Sequence, residues 1–144
     1  MTTQEQLQQV FNDNFVTYFH THVAHVNTVG RNFISDHELL GEIYEQLQGQ
    51  IDSLAELIRT LGDFMPTSLS EVMLNSHNTD EPMTGTSDQL LSSVKDHLEH
   101  LFDCYVDLDE VADEEDLEHI ANYAQEQMLI LKKFIWKLES VLEE

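Results

Sequence analysis

Apolar residues recur at intervals of three and four along nearly the whole chain. This spacing places them on one face of an α-helix, so it predicts four long amphipathic helices. The predicted helices cover residues 4–28, 32–61, 88–111 and 117–142. The first of them shows the pattern at Leu7, Val10, Phe11, Phe15, Tyr18, Phe19, Val23 and Val26. No stretch of the sequence alternates in the way that a half-buried β-strand requires.

Capping and turn residues mark the ends of these helices. Thr3, followed three residues later by Gln, predicts a capping box at the start of the first helix. Gly62 is expected to end the second helix as a C-cap. The polar segment 63–87 holds both prolines, and Ser68 inside it predicts the start of one short helix, with Glu71 as its capping partner.

The lengths of the connections predict how the helices are arranged. Four long helices joined by a short, a long and a short connection are typical of a four-helix bundle with one crossover, which is the ferritin-like variant of the bundle. We therefore predict an all-α fold in a single domain over residues 1–144. The extra short helix lies in the long crossover between the second and third helices.

Composition narrows the classes of function. Six basic residues against 28 acidic ones give a formal net charge of −22, which repels DNA and anionic lipid and attracts cations. The single cysteine, Cys104, excludes an internal disulfide and favours a reducing compartment, and we interpret it as a small buried hydrophobe. Without a signal peptide or an apolar run of about 18 residues, we expect a cytoplasmic protein with no membrane segment.

The second predicted helix carries an unusual flank beside its apolar stripe. The flank consists of His37, Gly41, Gln48, Gly49, Asp52, Ala55 and Glu56. A glycine inside a helix destabilises it by about 1 kcal/mol relative to alanine, so Gly41 and Gly49 indicate a face that another backbone approaches closely. Asp52 and Glu56 are four residues apart, so both carboxylates face one side and can share a cation.

A histidine lies at the other end of this flank, too far from the carboxylates to share a metal with them in one chain. A complete metal site therefore requires two chains. His37 and Asp52 lie 15 residues apart on one helix, which is about 22 Å. If two copies of the helix pack antiparallel, His37 of one copy meets Asp52 and Glu56 of the other, and the two-fold axis creates two identical sites. His25 is placed to join them, and nitrogen with carboxylate ligands suits iron, zinc or manganese. The alternative is that the carboxylates are solvated and the histidines are hydrogen-bonded residues at the edge of the core.

Three segments resemble one known family. Residues 25–38, HVNTVGRNFISDHE, resemble the opening signature of the Dps family, the mini-ferritins of starved bacteria. Residues 52–62 resemble the family's D-x-x-A-E-R segment, and residues 134–139 are similar to the end of its last helix. The spacing His-x11-His-x14-Asp-x3-Glu runs through this sequence without a gap.

The resemblance implies a hollow homododecamer that stores iron and protects against oxidative stress. Such proteins oxidise Fe(II), preferably with hydrogen peroxide and otherwise with oxygen, and keep the ferric mineral inside the shell. The resemblance assigns His25 and His37 of one subunit, with Asp52 and Glu56 of its neighbour, as the catalytic and metal ligands. It implies two irons at each shared site, for which zinc or manganese would substitute.

Two positions depart from the family's pattern. Val26 stands where the family usually has tryptophan, and Gly41 stands where it often has a carboxylate. Glu45, one turn further along the same flank, is a candidate replacement for that carboxylate. These departures favour a competing function, a ferritin-fold shell that binds metal or a partner without efficient turnover.

An acidic run separates the third and fourth predicted helices. Asp113, Glu114, Glu115 and Asp116 resemble, in position, the segment that lines the three-fold iron pores of mini-ferritins. The alternative is a helix N-terminus, where the helix dipole favours carboxylates.

Direct binding of DNA is not expected at neutral pH. Phosphate contacts need lysine or arginine, and no such residue precedes Arg31. The only basic patch consists of Lys132, Lys133 and Lys137. We therefore expect an association with DNA only through divalent cations or at acid pH, where histidines become charged.

Overall fold

The fold is a bundle of four long helices with a short fifth helix in the crossover. A computed structural model describes residues 1–143, so residue 144 of the predicted domain lies outside the described residues. The helices are α1 (Thr3–Asn27), α2 (Phe33–Thr60), α3 (Leu69–Asn75), α4 (Ser87–Glu114) and α5 (Glu118–Leu142). Residues 1–143 contain no strand, and the predicted all-α bundle of four long helices with a short extra helix in the crossover is confirmed.

The starts of the helices are set by side-chain caps. Ser68 accepts a hydrogen bond from the backbone N–H of Glu71 at 3.2 Å, as the sequence predicts for α3. At α1 the prediction is wrong by one residue, because Thr2 is the N-cap and accepts from the N–H of Glu5 at 3.1 Å. Thr3 is buried and bonds to another element instead.

The acidic run lies differently from the prediction. α4 continues through Glu114, so Asp113 and Glu114 occupy its last turn, where the helix dipole disfavours carboxylates. The interpretation of the run as a helix N-terminus is therefore wrong for these two residues. Asp116 makes the turn into α5 with a positive φ of 61°. The Glu115 carboxylate accepts from the Thr3 backbone N–H at 2.6 Å and from the Thr3 hydroxyl, so it binds the start of α1.

The core lies where the apolar faces of the long helices meet. α1 packs against α2 and α4, α4 packs against α5, and the short α3 rests on α1. Full burial of one large apolar side chain in this core contributes about 1.5–3 kcal/mol to the stability of the fold. The largest fully buried side chains are Tyr105, Phe11, Leu7, Leu40, Ile43, Leu47, Leu54, Ile58, Leu91, Leu98, Leu101 and Leu108. Within the described residues, every helix is too short or too polar to cross a membrane.

A group of apolar side chains remains outside this core. Phe19 is 50% exposed and Val26 is 59% exposed, and with His22, Val23 and Asn27 they line a shallow open pocket of about 250 Å³. We call these five residues the α1 patch. Contiguous exposed apolar surface is often part of a contact with another molecule.

Candidate metal centre

The turn between α1 and α2 brings His25 and His37 together. His25 lies in the last turn of α1 and His37 near the start of α2. Their rings stack with centroids 3.8 Å apart and planes 15° from parallel. Nδ1 of His25 donates to the backbone carbonyl of His37 at 2.6 Å, and Nδ1 of His37 donates to the carbonyl of His25 at 2.7 Å. Each imidazole is therefore held by the backbone of the other residue and by the stacking of the two rings.

These reciprocal hydrogen bonds also decide which nitrogen is free. A carbonyl oxygen only accepts, so the proton of each ring is on Nδ1. The neutral imidazole then has its lone pair on Nε2, which is the form that binds a metal. A histidine ligand commonly has its other nitrogen bonded to a backbone carbonyl, which fixes both tautomer and ring orientation. The pair formed by His25 and His37 fits that pattern.

Gly41 has a structural reason within its own chain. A Cβ at this position would lie 3.0 Å from Cε1 and 3.2 Å from Nδ1 of His25. The interpretation of Gly41 as a point of approach for another chain is thus replaced, because the His25 ring uses this space. At Gly49 an added Cβ would meet no neighbouring element of residues 1–143 within 4 Å, so that face of α2 stays open to a partner.

Two aromatic residues that the sequence analysis missed border the histidine pair. The ring of Tyr44 lies 4.9 Å from that of His25 and stacks on His22 with centroids 4.3 Å apart and planes 4° from parallel. The available signal was helical spacing, since His22 is three residues before His25 and Tyr44 is seven after His37. These two side chains form one wall of the candidate centre.

The predicted carboxylate ligands lie elsewhere on the same chain. Asp52, Glu56 and Glu45 are all exposed on α2. A hydrogen bond that the protonated Glu56 donates to the Asp52 carboxylate, together with the negative charge of Asp52, raises the pKa of Glu56 above its ordinary value, in keeping with two carboxylates that lie close together. The rise of an α-helix separates Asp52 from His37 by about 22 Å. One subunit therefore offers a histidine pair and a carboxylate pair at two separate places.

The four residues of the acidic run are all exposed. Asp113 faces Glu118 of α5, and a hydrogen bond and the charge of Asp113 raise the pKa of Glu118. Glu115 shows the opposite shift, because the bonds from Thr3 lower its pKa. Negative charge is therefore concentrated around the α4–α5 turn.

Comparisons with known proteins agree with this fold. A family model described as a ferritin-like domain matches residues 4–144. The "DNA protection during starvation protein" of Helicobacter pylori is 31% identical over 143 residues, which cover 99% of each chain. The crystal structure of a Dps protein from Bacillus brevis has a TM-score of 0.93 at 28% identity, covering 98% of this chain and 95% of that one.

A third relative carries a chemical description. The Dps protein from Vibrio cholerae O1, described as a member of the ferritin-like diiron-carboxylate proteins, has a TM-score of 0.93 at 25% identity, covering 98% of this chain and 89% of that chain. Together the matches define a ferritin-like helical bundle protein. The chain belongs to the Dps family of that class, which confirms the resemblance seen in residues 25–38 and 52–62.

Proposed function

We propose that this protein oxidises Fe(II) with hydrogen peroxide or oxygen and stores the ferric product inside a homododecameric shell in the cytoplasm. The observation that carries the proposal is the histidine pair, in which His25 and His37 bond through Nδ1 and leave Nε2 free. If both histidines only satisfied polar groups at the edge of the core, their two unbonded Nε2 atoms would have no role. Membership of the ferritin-like family supports iron as the metal.

The site is completed by a second subunit. The carboxylate pair of Asp52 and Glu56 is too far along α2 to reach the histidines of its own chain. An antiparallel arrangement of two α2 helices about a two-fold axis brings each pair opposite the other. The open face at Gly49 and the exposed α1 patch supply surface for such a contact.

The donor set suits the proposed substrate. Imidazole nitrogen with carboxylate oxygen binds Fe(II), and zinc or manganese would compete for the same atoms. Two carboxylates close to one another repel, and a bound cation relieves that repulsion. During turnover each Fe(II) gives up one electron, and peroxide takes two as its O–O bond breaks. The exposed carboxylates Asp113, Glu114, Glu115 and Asp116 are the proposed path by which iron enters the shell.

A second function, storage or metal binding without efficient turnover, is favoured by one specific observation. Gly41 contributes no ligand, and the His25 ring occupies the space where a carboxylate would begin. Glu45, exposed one turn away, is the candidate replacement. Val26 is an exposed aliphatic residue where the family usually has an oxidisable aromatic one.

Oxidation kinetics separate the two functions. Mixing the protein with Fe(II) and peroxide should produce soluble ferric absorbance faster than in buffer. A variant with Asp52→Ala and Glu56→Ala should lose this acceleration and keep its helical content. The matched control changes Glu139 and Glu143, an exposed pair with the same spacing, to alanine and should oxidise iron like the parent.

Assembly is tested on the same samples. Light scattering should give a particle near twelve times 16.7 kDa. A monomer at micromolar concentration would contradict both the shell and the shared site. Oxidation by the Asp52/Glu56 variant at the parental rate would contradict the ligand assignment, and a shell with no acceleration at all would support the function without turnover.

A further inference from the structure

A second group of metal-ligating side chains lies away from the candidate iron site. It combines Asp13 of α1, His77 of the crossover and Cys104 of α4. Cys104 Sγ lies 3.0 Å from Asp13 Oδ2, His77 Nδ1 lies 3.5 Å from the same oxygen, and Sγ and Nδ1 are 4.0 Å apart. A sulfur, a nitrogen and an oxygen from three different elements thus form one compact triangle.

Asp13 is fully buried and firmly oriented. Its Oδ1 accepts from the Ser76 hydroxyl at 2.8 Å and from the backbone N–H groups of His77 and Asn78 at 2.5 and 3.2 Å. Because these donors occupy Oδ1, the other oxygen is turned toward the thiol and the imidazole. Gln9 donates to that Oδ2 at 3.1 Å. Such outer contacts are what holds a carboxylate ligand in position in a metal site.

We propose that Asp13, His77 and Cys104 bind a zinc ion, with solvent as the fourth ligand. Tetrahedral zinc with ordinary bond lengths separates such ligand atoms by about 3.4–3.6 Å. The observed separations of 3.0, 3.5 and 4.0 Å bracket that range, so closing the site moves atoms by about half an ångström. The His77 side chain is 65% exposed, so it can rotate inward and the site opens to solvent on that side.

A divalent cation at this site has to replace the proton of the Cys104 thiol. Burial, followed by the charge and hydrogen bond of Asp13, raises the pKa of the Cys104 thiol well above its ordinary value. On binding, the S–H bond breaks, sulfur bonds to the metal and one proton leaves to solvent. The ion would tie the crossover to α1 and α4, and this role does not depend on iron oxidation.

Cobalt(II) is the probe, because it takes zinc sites and reports sulfur ligation. Titrating Co(II) into the metal-free protein under reducing conditions should give a sulfur-to-cobalt charge-transfer band that saturates at one equivalent per chain. Zinc should displace the band and protect Cys104 from thiol reagents. The candidate iron site contains no sulfur, so Co(II) bound there produces no such band, and the variant with Asp52→Ala and Glu56→Ala should retain the band in full.

Variants identify the ligands. His77→Ala, at an exposed position that preserves the fold, should weaken Co(II) binding at the thiolate by at least about tenfold. His119→Ala, an exposed histidine on α5, is the matched control and should bind like the parent. Cys104→Ala should abolish the band. The absence of a charge-transfer band in the parent protein, or an unchanged band in His77→Ala, would overturn the proposal.

Discussion

At Gly41 the missing side chain leaves room that the His25 imidazole occupies, 3.0 Å from where a Cβ would stand. The ring cannot yield freely, because its Nδ1 is bonded to the His37 carbonyl at 2.6 Å. Gly41→Ala should therefore displace His25 and slow Fe(II) oxidation by about tenfold, or about 1.4 kcal/mol in the barrier. Initial rates with peroxide, compared at equal helical content, measure this effect.

The matched control for that substitution is Gly49→Ala on the same helix. Both changes should raise intrinsic helix stability by about 1 kcal/mol. At Gly49 the new methyl meets no neighbouring element within the described subunit, so His25 keeps its place, and because this face is proposed to meet the partner subunit, the two variants are compared only as particles of equal size in light scattering. If Gly41→Ala oxidised Fe(II) at the parental rate, the space next to residue 41 would not be what positions His25.

The residues of the two sites differed in how far the sequence could predict them. Helical spacing and the resemblance to the Dps family together singled out His25, His37, Asp52 and Glu56. The reciprocal bonds between the histidines depend on the turn that joins α1 to α2, which spacing does not determine. Asp13, His77 and Cys104 are separated by tens of residues on three elements, and no local pattern connects them.

Between elements, the contact from Glu115 to Thr3 joins the end of α4 to the start of α1. The two bonds from Thr3 lower the pKa of Glu115, so the carboxylate is stabilised in the folded protein. A group with a depressed folded pKa adds stability above its unfolded pKa of about 4.3 and loses it as the pH falls through the folded value. Glu115→Gln should therefore unfold at a lower temperature than the parent at pH 7.

The pH dependence of the unfolding temperature tests the stabilisation by Glu115. The difference in unfolding temperature between Glu115→Gln and the parent should be constant above about pH 5 and should close as the pH falls below about 4. Glu114→Gln, next to it but without a bond to Thr3, should show neither behaviour. A gap that widens toward acid pH would contradict the assigned contact.

Helices were the most predictable level of the structure. Their number, order and approximate ends followed from apolar spacing, and Ser68 was correctly predicted to cap α3. One error occurred where a tertiary contact overrode a local signal, and another where a helix continued past its predicted end. Thr3 read as a cap but bonds to Glu115, and α4 runs through Asp113 and Glu114 although an acidic run is typical of a helix start.

The whole molecule is dominated by its formal charge of −22. Several of its few cations are already engaged: Lys95 pairs with Glu99 at 3.1 Å, Lys137 lies 3.6 Å from Glu42, and Lys132 lies over the Phe102 ring. We therefore predict no retardation of plasmid DNA at about pH 7.5 and ~150 mM salt. Adding divalent cations, or acidifying to charge the histidines, should allow association.

A gel-shift series with and without chelator tests that prediction. Assembly multiplies weak contacts, so the experiment must use the proposed shell rather than separated subunits. Tight retardation in the presence of the chelator at neutral pH would contradict it. That result would mean that the unpaired lysine and arginine side chains lie together on one outer surface. Their positive potential would then outweigh the repulsion of DNA by the acidic residues.

The rings of His25 and His37 form one stacked pair that is also held by two backbone carbonyls. Each ring bonds to the backbone carbonyl of the other residue, which an alanine variant keeps, so removing one imidazole takes away only the stacking partner of the ring that remains. Energetic effects within such a pair are not additive. His25→Ala and His37→Ala should therefore each weaken Fe(II) binding, and isothermal titration of the double variant should measure a loss smaller than the sum of the two single losses, because each single change also removes the stacking partner of the other ring.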